Sequence, residues 1–393
     1  MRKTGPAADR TYSQSMTQPT ETVDRPQPTP TPAQAARFPT FGLAPWSIAV
    51  PLLALAALAL GKPAGVSLVV VLALVLCAAI ISAVYHAEVL AHYLGEPFGT
   101  LLLAFAVTVI ETSLIVSIMM SEGSGAQALA RDTLIAAIMI TINGIVGICL
   151  LAGGGRHHEQ SYTQSGVTHG LSMLATLSVA TLVLPNFTIT QSGAFYSSLQ
   201  LGFVAVISLI IYGTFVVAQT VRHKDHFLHP EEADHAHEAP VPKARAAASA
   251  VLLGFALVAV VLLAKMLSPS IEAGVAAVGA PQAMVGIIIA ALVLAPEGFA
   301  ALRAARGNRV QTSLNLAIGS ALATIGLTIP AVAVTSLMMG LDLELGLSMR
   351  GIVLLALTLL VASMTLGTGR TTVVQGTIHL VIFATYLFTT LVP

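Results

Sequence analysis

The sequence contains few charged residues, and this shortage excludes most classes of soluble protein. Only 9% of the 393 residues are Asp, Glu, Lys or Arg, against about 25% in ordinary globular domains. Of the 36 charged residues, 8 lie in residues 1–41 and 9 in residues 222–245, so the rest of the chain carries only 19. A soluble fold of this size needs far more polar surface, which excludes a cytosolic enzyme and a secreted domain.

Cysteine, net charge and nucleotide-binding motifs are also scarce or missing. The two cysteines, Cys77 and Cys149, lie inside apolar stretches and suggest packing rather than a disulfide framework or a metal site. The net formal charge is zero, which gives no indication of a nucleic-acid partner. No Walker A motif is present, so direct drive by ATP hydrolysis is unsupported. No cofactor is expected.

Long apolar runs make up most of the remaining sequence, which is 55% hydrophobic overall. A helix needs about 20 apolar residues to cross about 30 Å of hydrocarbon, and lipid offers no partner for free backbone groups. The sequence therefore predicts an all-α polytopic membrane protein with about 11 transmembrane helices. They cover approximately residues 43–60, 65–84, 98–120, 133–152, 167–184, 199–221, 246–267, 282–302, 312–337, 351–366 and 371–391.

Two polar segments interrupt this pattern. Residues 1–41 are rich in Thr, Pro, Gln and Ala, and we expect a disordered cytoplasmic tail that is not a cleaved signal peptide. Residues 222–245 contain five His and five acidic residues, a composition that binds divalent metal weakly. This cytoplasmic loop is either a solvated linker or a regulatory element that senses Ca²⁺ or pH. Its candidate regulatory residues are His226, His229, Glu231, Glu232, Asp234, His235 and His237.

The distribution of Lys and Arg predicts the orientation, because these residues favour the cytoplasmic side of a membrane. With the N-terminus in the cytoplasm, 14 of the 18 basic residues fall on cytoplasmic segments. The remaining four lie at outer ends: Lys62, Arg131, Lys265 and Arg350. We expect a multi-pass protein of the inner (plasma) membrane, with its N-terminus cytoplasmic and its C-terminus external.

An internal repeat organises the spans. The third span carries AVTVIETSLIV and is followed by RDTLIAAIMITINGIVG, whereas the eighth carries ALVLAPEGFAAL and is followed by RVQTSLNLAIGSALATIGL. The two glutamate-bearing spans are five apart, an odd number, so they cross the membrane in opposite directions. We predict an extra first span (42–64) and two inverted five-helix repeats (65–221 and 246–393), an architecture common in transporters.

Glu111 and Glu297 are the candidate functional residues. Glu111 lies 13 residues after Phe98 and Glu297 lies 15 after Gln282, which places both near mid-membrane at 1.5 Å per residue. An ionised carboxylate facing lipid is costly, so each must face the interior and meet a proton, a cation or a partner. Either they bind a cation in exchange for protons, or they are protonated groups bonded to neighbouring helices. Two carboxylates suit a hard ion such as Ca²⁺.

Further polar residues lie close to these glutamates in the sequence. Thr108 precedes Glu111 by one turn, and Asn143, Ser320 and Thr324 interrupt the apolar spans that follow each glutamate. Each of the last three is either an oxygen ligand or hydrogen-bond partner of the glutamates, or a packing residue. Pro296 precedes Glu297 and removes the donor for the carbonyl four residues earlier.

Histidines near two other spans admit simpler interpretations. His86, Glu88 and His92 form a stripe after the second span, in which His86 and Glu88 either line a proton entry or lie on an exposed helix end. His379, in the last span, is expected to be a hydrogen-bonded core histidine.

Two blocks of the sequence resemble a known family. The stretch HAEVLAHYLGEPFGTLLLAFAVTVIETSLIVSIMMSEG is similar to the first conserved block of bacterial calcium/proton antiporters of the calcium/cation antiporter superfamily, and LAPEGFAALRAARGNRVQTSLNLAIGSALATIGLTIP resembles the second. The resemblance implies that Glu111 and Glu297 are the ion-binding glutamates and that Asn143, Ser320 and Thr324 are polar positions of the following helices. The sodium/calcium exchangers carry more polar site residues; here Val107, Val293 and Leu294 flank the glutamates, which favours proton coupling.

Together these features predict a secondary antiporter that exchanges cytosolic calcium for protons by alternating access at a midplane site. A monovalent (sodium or potassium)/proton antiporter on the same scaffold is the main alternative, and a passive cation channel is the other. The expected partners are calcium ions, protons and the lipid bilayer, and the sequence leaves the oligomeric state open.

Overall fold

The computed structural model describes residues 42–61, 63, 65–95, 98–122, 127–222 and 241–392. The predicted tail, residues 1–41, lies outside the described residues. So do residues 223–240 of the His/acid loop, which include all seven candidate regulatory residues from His226 to His237.

Eleven helices follow one another along the described chain. They are α1 (Pro45–Ala57), α2 (Val66–Leu94), α3 (Phe98–Glu122), α4 (Leu129–His157), α5 (Gln164–Phe187), α6 (Ser198–Val221), α7 (Lys243–Ala277), α8 (Ala283–Arg306), α9 (Val310–Met339), α10 (Met349–Leu366) and α11 (Val373–Leu391). Nine of those in the described segments are long and apolar enough to cross a membrane, and α1 and α3 supply the shorter apolar stretches Pro45–Leu60 and Phe105–Ser117. The predicted all-α polytopic fold is confirmed.

Two helices lie at the centre of the molecule. In α4 and α9, 89% and 78% of the residues in the most apolar segment are buried, against 28–50% in the other long helices. The helix α4 contains a π-helical segment, Met139–Ile145, whereas α9 is α-helical from Val310 to Met339. In the described residues the two halves of the protein therefore differ at their central helices.

Each central helix packs against two helices of the other repeat. The helix α4 packs against α8 and α11, and its counterpart α9 packs against α3 and α6. The loops of the two repeats also pair with each other: β1 (Gln160–Ser161) pairs with β2 (Arg370–Thr371), and an antiparallel bridge joins Phe195 to Glu344. Each pairing joins a loop of one repeat to a loop of the other, as two five-helix repeats of opposite orientation require. The exact limits 65–221 and 246–393 stay predictions.

Helices α4 and α11 approach each other through glycine. A Cβ atom at Gly376 would lie 2.5 Å from the backbone nitrogen of Leu151 and 2.8 Å from the carbonyl oxygen of Gly147. Small residues at such a crossing let two helix backbones come close inside a membrane. The close crossing fixes α11 beside the π-helical segment of α4.

Candidate functional site

The two glutamates meet the same helix. Thr324 Oγ1 donates a hydrogen bond of 2.7 Å to Glu111 Oε2, and Ser320 Oγ donates one to Glu297 Oε2. Ser320 and Thr324 are four residues apart in α9, so they lie on one face, one turn from each other. Glu111 comes from α3 and Glu297 from α8, and α9 contacts both helices. The structure thus brings together four of the predicted site residues.

Burial of this group is nearly complete. Glu111 and Thr324 are 0% and 2% exposed, and Glu297 and Ser320 are 7% and 8% exposed. The two carboxylates are therefore removed from bulk solvent. In this buried environment an unpaired negative charge is energetically costly.

One oxygen of the site has no partner. Glu111 Oε1 is buried and accepts no hydrogen bond within the described part of the chain. A buried carboxylate oxygen left in this state loses its hydration without compensation. A proton on this oxygen, a bound cation or an ordered water would each compensate that loss. No group of three or more His, Cys, Asp or Glu side chains that could hold a metal occurs among the described residues. The side-chain oxygens shown in contact with the two carboxylates are the hydroxyls of Ser320 and Thr324.

A third hydroxyl extends the polar face of α9. Thr328 Oγ1 lies 3.0 Å from Thr112 Oγ1 on α3, one turn beyond Thr324. Thr328 is not among the residues predicted from the sequence, although the four-residue spacing of Ser320, Thr324 and Thr328 is a signal that could have identified it. Thr108 is buried on α3 one turn before Glu111.

Asn143 forms its hydrogen bonds with residues other than the two glutamates. Its Nδ2 atom donates to Thr358 Oγ1 at 2.8 Å, and its Oδ1 atom lies 3.0 Å from His379 Nδ1. The other ring nitrogen of His379 lies 2.9 Å from Thr365 Oγ1. His379 is fully buried, so its prediction as a hydrogen-bonded core histidine is confirmed. These four residues tie the π-helical segment of α4 to α10 and α11.

The structure places His86 and Glu88 on different faces of α2. His86 is fully buried: its Nε2 atom donates to the Ser47 carbonyl at 2.8 Å, and its Nδ1 atom lies 3.3 Å from Ser249 Oγ. Glu88 is exposed. The interpretation as an exposed helix end is wrong for His86, because α1 covers this face of α2 and supplies the acceptor carbonyl. A proton entry at His86 and Glu88 stays a prediction.

Solved structures share this fold. The H⁺/Ca²⁺ exchanger CAX superposes with a TM-score of 0.69 at 17% identity, covering 87% of this chain and 86% of that one. Native YfkE superposes with a TM-score of 0.65 at 17% identity, covering 88% of this chain and 99% of that one. At these identities the likeness concerns the fold alone.

Sequence relatives and a family model cover most of the chain. A Sinorhizobium fredii protein, provisionally named an ionic transporter, is 44% identical over 321 residues, 81% of this chain and 87% of the relative. The sodium-potassium/proton antiporter of Escherichia coli is 38% identical over 312 residues, 78% of this chain and 84% of the relative. The model of the sodium/calcium exchanger protein family matches residues 62–221 and 248–392, which include both glutamates and both central helices. The chain therefore belongs to the sodium/calcium exchanger protein family, a family of multi-pass membrane transporters.

Proposed function

We propose that this cation exchanger is a secondary antiporter that exports cytosolic calcium in exchange for protons, with Glu111 and Glu297 as the shared binding site and no cofactor. The observation that carries the proposal is the buried, unpartnered Glu111 Oε1 atom beside a second buried carboxylate. The N-terminus is cytoplasmic and the C-terminus external in this proposal, as the distribution of basic residues predicts.

The chemistry of exchange follows from competition for the same oxygen atoms. In one state both carboxylates are ionised and bind a dehydrated cation, and in the other both are protonated. Ser320 and Thr324 serve both states, because a hydroxyl group can donate to a carboxylate or turn its lone pairs to a metal. Metal binding requires deprotonated ligands, so a cation bound by both carboxylates and protons on both carboxylates exclude each other.

Charge favours a divalent cation. Two ionised carboxylates carry two negative charges, which one Ca²⁺ or two protons neutralise. A single Na⁺ or K⁺ leaves one charge unpaired, and an unpaired charge at this depth costs at least about 2.5–3.5 kcal/mol on insertion scales. With Ca²⁺, both loaded states are near neutral, so the same conformational change can carry either across the membrane.

A monovalent cation/proton antiporter is the second candidate. The relative from Escherichia coli, 38% identical to this chain, is named a sodium-potassium/proton antiporter. On this scaffold a monovalent ion is neutralised if one of the two glutamates retains its proton. The site then loads one cation and one proton in place of two protons.

Flux measurements distinguish the two candidates. In proteoliposomes that hold the purified protein, we expect proton-coupled Ca²⁺ flux that does not change when the membrane potential is clamped at different values. Moving one net charge across the membrane is worth about 2.3 kcal/mol per 100 mV, so exchange of one Ca²⁺ for two protons avoids this term. Proton-coupled Na⁺ or K⁺ flux without Ca²⁺ flux would establish the monovalent candidate instead, and strong dependence on potential would contradict neutral exchange.

Replacing Thr324 tests the role of the hydroxyl face. Thr324→Val removes the donor to Glu111 while keeping the volume, and we expect an apparent affinity for the cation that is about tenfold weaker, as for groups that orient metal ligands. Thr335→Val is the matched control, because this residue lies on the same helix and bonds the carbonyl of Ala331. Equal affinities in the two variants would show that Thr324 does not support the site.

A further inference from the structure

Gly298, the residue after Glu297, lies against the π-helical segment of α4. A Cβ atom at Gly298 would lie 3.3 Å from both Cγ1 and Cδ1 of Ile145, which is closer than the optimal separation of two carbon atoms. Ile145 is the last residue of the π-helical segment, and it also packs against a cluster that contains the buried Ala301 and Ala305 of α8. Small residues of α8 thus let the part that carries Glu297 approach α4 closely.

The same part of α8 lacks one hydrogen bond of a regular helix. Pro296 lies inside α8 and has no N–H group, so the carbonyl oxygen of Leu292 loses its usual helical donor. Ser320 of α9 donates to the carboxylate of Glu297, which holds the end of the side chain but not the backbone. Packing against Ile145 therefore contributes to the position of the Glu297 backbone.

The π-helical segment is also anchored to α10 and α11. Asn143, two residues before Ile145, donates to Thr358 Oγ1 at 2.8 Å and lies 3.0 Å from His379 Nδ1. Asn143, Thr358 and His379 are fully buried, so breaking these bonds would leave polar groups without a partner. Ile145 is thus presented to α8 by a segment that two further helices hold in place, and π-helical turns inside α-helices are frequent at functional sites.

The other glutamate has a contact at the corresponding position. Thr112 follows Glu111 on α3, and its Oγ1 atom lies 3.0 Å from Thr328 Oγ1 on α9. In both halves, the residue after the glutamate therefore contacts the central helix of the other half, α9 in one case and α4 in the other. The position of the contact is common to the two halves, whereas its chemistry differs: two hydroxyl groups in one, glycine and isoleucine in the other.

We propose that Gly298 and Ile145 are positioning residues, which set the place of Glu297 relative to the other ligands and thereby the affinity for the cation. This inference rests on the proposed function and deepens it, because it gives α4 a role at a site whose described hydrogen bonds come from α9. Ligand distances in metal sites vary by only about ±0.2 Å, so a small shift of the Glu297 backbone weakens cation binding. Protonation needs no such fit, since each carboxyl group takes up a proton by itself.

Gly298→Ala tests the contact through the KM for the cation. The β-branched side chain of Ile145 has one strongly preferred χ1 rotamer in a helix, so the added methyl group should move the helices rather than the side chain. We expect the KM to rise about threefold to tenfold, at or below the lower end of the range for groups that orient metal ligands, while kcat stays near the parent value. Adding Ile145→Val removes one methyl group, restores the side-chain volume at the contact and should reverse most of this rise.

Gly351→Ala is the matched control for the exchange measurement. A Cβ atom at Gly351, in the first turn of α10, would lie 3.2 Å and 3.3 Å from Cβ and Cδ2 of Leu347. This position is as crowded by a side chain as Gly298 but does not adjoin a glutamate, so the KM should not change. Exchange is measured in proteoliposomes with whichever of Ca²⁺, Na⁺ and K⁺ the parent protein carries. An unchanged KM in a correctly inserted Gly298→Ala variant would overturn the inference, and so would an equal rise in Gly351→Ala.

Carboxyl labelling separates this inference from the proposed function. Dicyclohexylcarbodiimide, a hydrophobic reagent for protonated carboxyl groups, is added to the purified protein without a transported cation, and mass spectrometry compares Glu297 with Glu111 in the same sample. We expect Gly298→Ala to raise the labelling of Glu297 relative to Glu111 about threefold, the size of one weakened hydrogen bond. Ile145→Val alone, which loosens the same contact, should raise this ratio as well and serves if the first variant does not insert. An unchanged ratio in both variants would overturn the inference whichever cation is carried. A raised ratio in a protein that exchanges none of the three cations would count against the proposed function alone.

Discussion

Glu111→Gln and Glu297→Gln are each expected to lower cation/proton exchange by more than about 100-fold while the protein still inserts into the membrane. Substitution of groups that merely orient metal ligands costs about 10- to 100-fold, and each of these variants removes a charged ligand itself. Glutamine has nearly the same size and can still accept the hydroxyl bonds of Thr324 or Ser320, so the fold should persist. Exchange is measured as coupled Ca²⁺ and pH changes in inverted vesicles.

Glu272→Gln is the matched control for these variants. Glu272 lies on α7, another membrane helix, and its Oε1 atom accepts a bond of 2.8 Å from Ser268 Oγ. It therefore shares the local chemistry of the site glutamates without their position, and exchange should continue in this variant. Robust exchange by either Glu111→Gln or Glu297→Gln would overturn the two-carboxylate mechanism, because neither state of the site could then depend on both charges.

Gly376→Ala should destabilise the protein by about 3 kcal/mol, the upper part of the range for overpacked sites. The added Cβ atom meets backbone atoms of Leu151 and Gly147, and backbone cannot rotate away as a flexible side chain can. The helices α4 and α11 would have to separate, which strains the hydrogen bonds from Asn143 to α10 and α11. The purified protein is heated in detergent to a series of temperatures, and the folded fraction that remains is measured by size-exclusion chromatography.

Gly254→Ala is the control for this second variant. Gly254 lies within α7, and a Cβ atom there would have nothing within 4 Å. Alanine is a better helix former than glycine by about 1 kcal/mol, so this variant should be as stable as the parent protein or slightly more stable. Equal thermal stability of Gly376→Ala and Gly254→Ala would contradict the close backbone crossing of α4 and α11.

The helices and the two glutamates could be predicted from the sequence for simple reasons. Apolar length alone identifies a membrane span, and a lone carboxylate in such a span must face inward. Helix ends were harder to predict from the sequence. Hydropathy falls where a helix leaves the hydrocarbon, but the helix itself continues. The second span was predicted to end at residue 84, and α2 continues to Leu94 through the polar segment HAEVLAH.

Partners distant in the sequence were beyond prediction. Asn143 and His379 lie 236 residues apart and form one hydrogen bond, and nothing in either local sequence indicates the other. The buried position of His86 depends on the packing of α1 over α2, which no periodicity in the second span encodes. By contrast, Ser320 and Thr324 lie four residues apart, so the local sequence alone places both hydroxyls on one helix face.

Both site hydroxyls belong to α9, and this one-sided arrangement affects how the family can diversify. On the corresponding helix α4, Thr141 Oγ1 bonds the Ala137 carbonyl at 2.7 Å, and Asn143 bonds α10 and α11. In the proposed mechanism the two central helices thus differ: α4 contacts α10 and α11, and α9 carries the hydroxyls that bond the two carboxylates. If the proposed site binds the ion, substitutions on this single helix face can change ion preference while the contacts of α4 are kept.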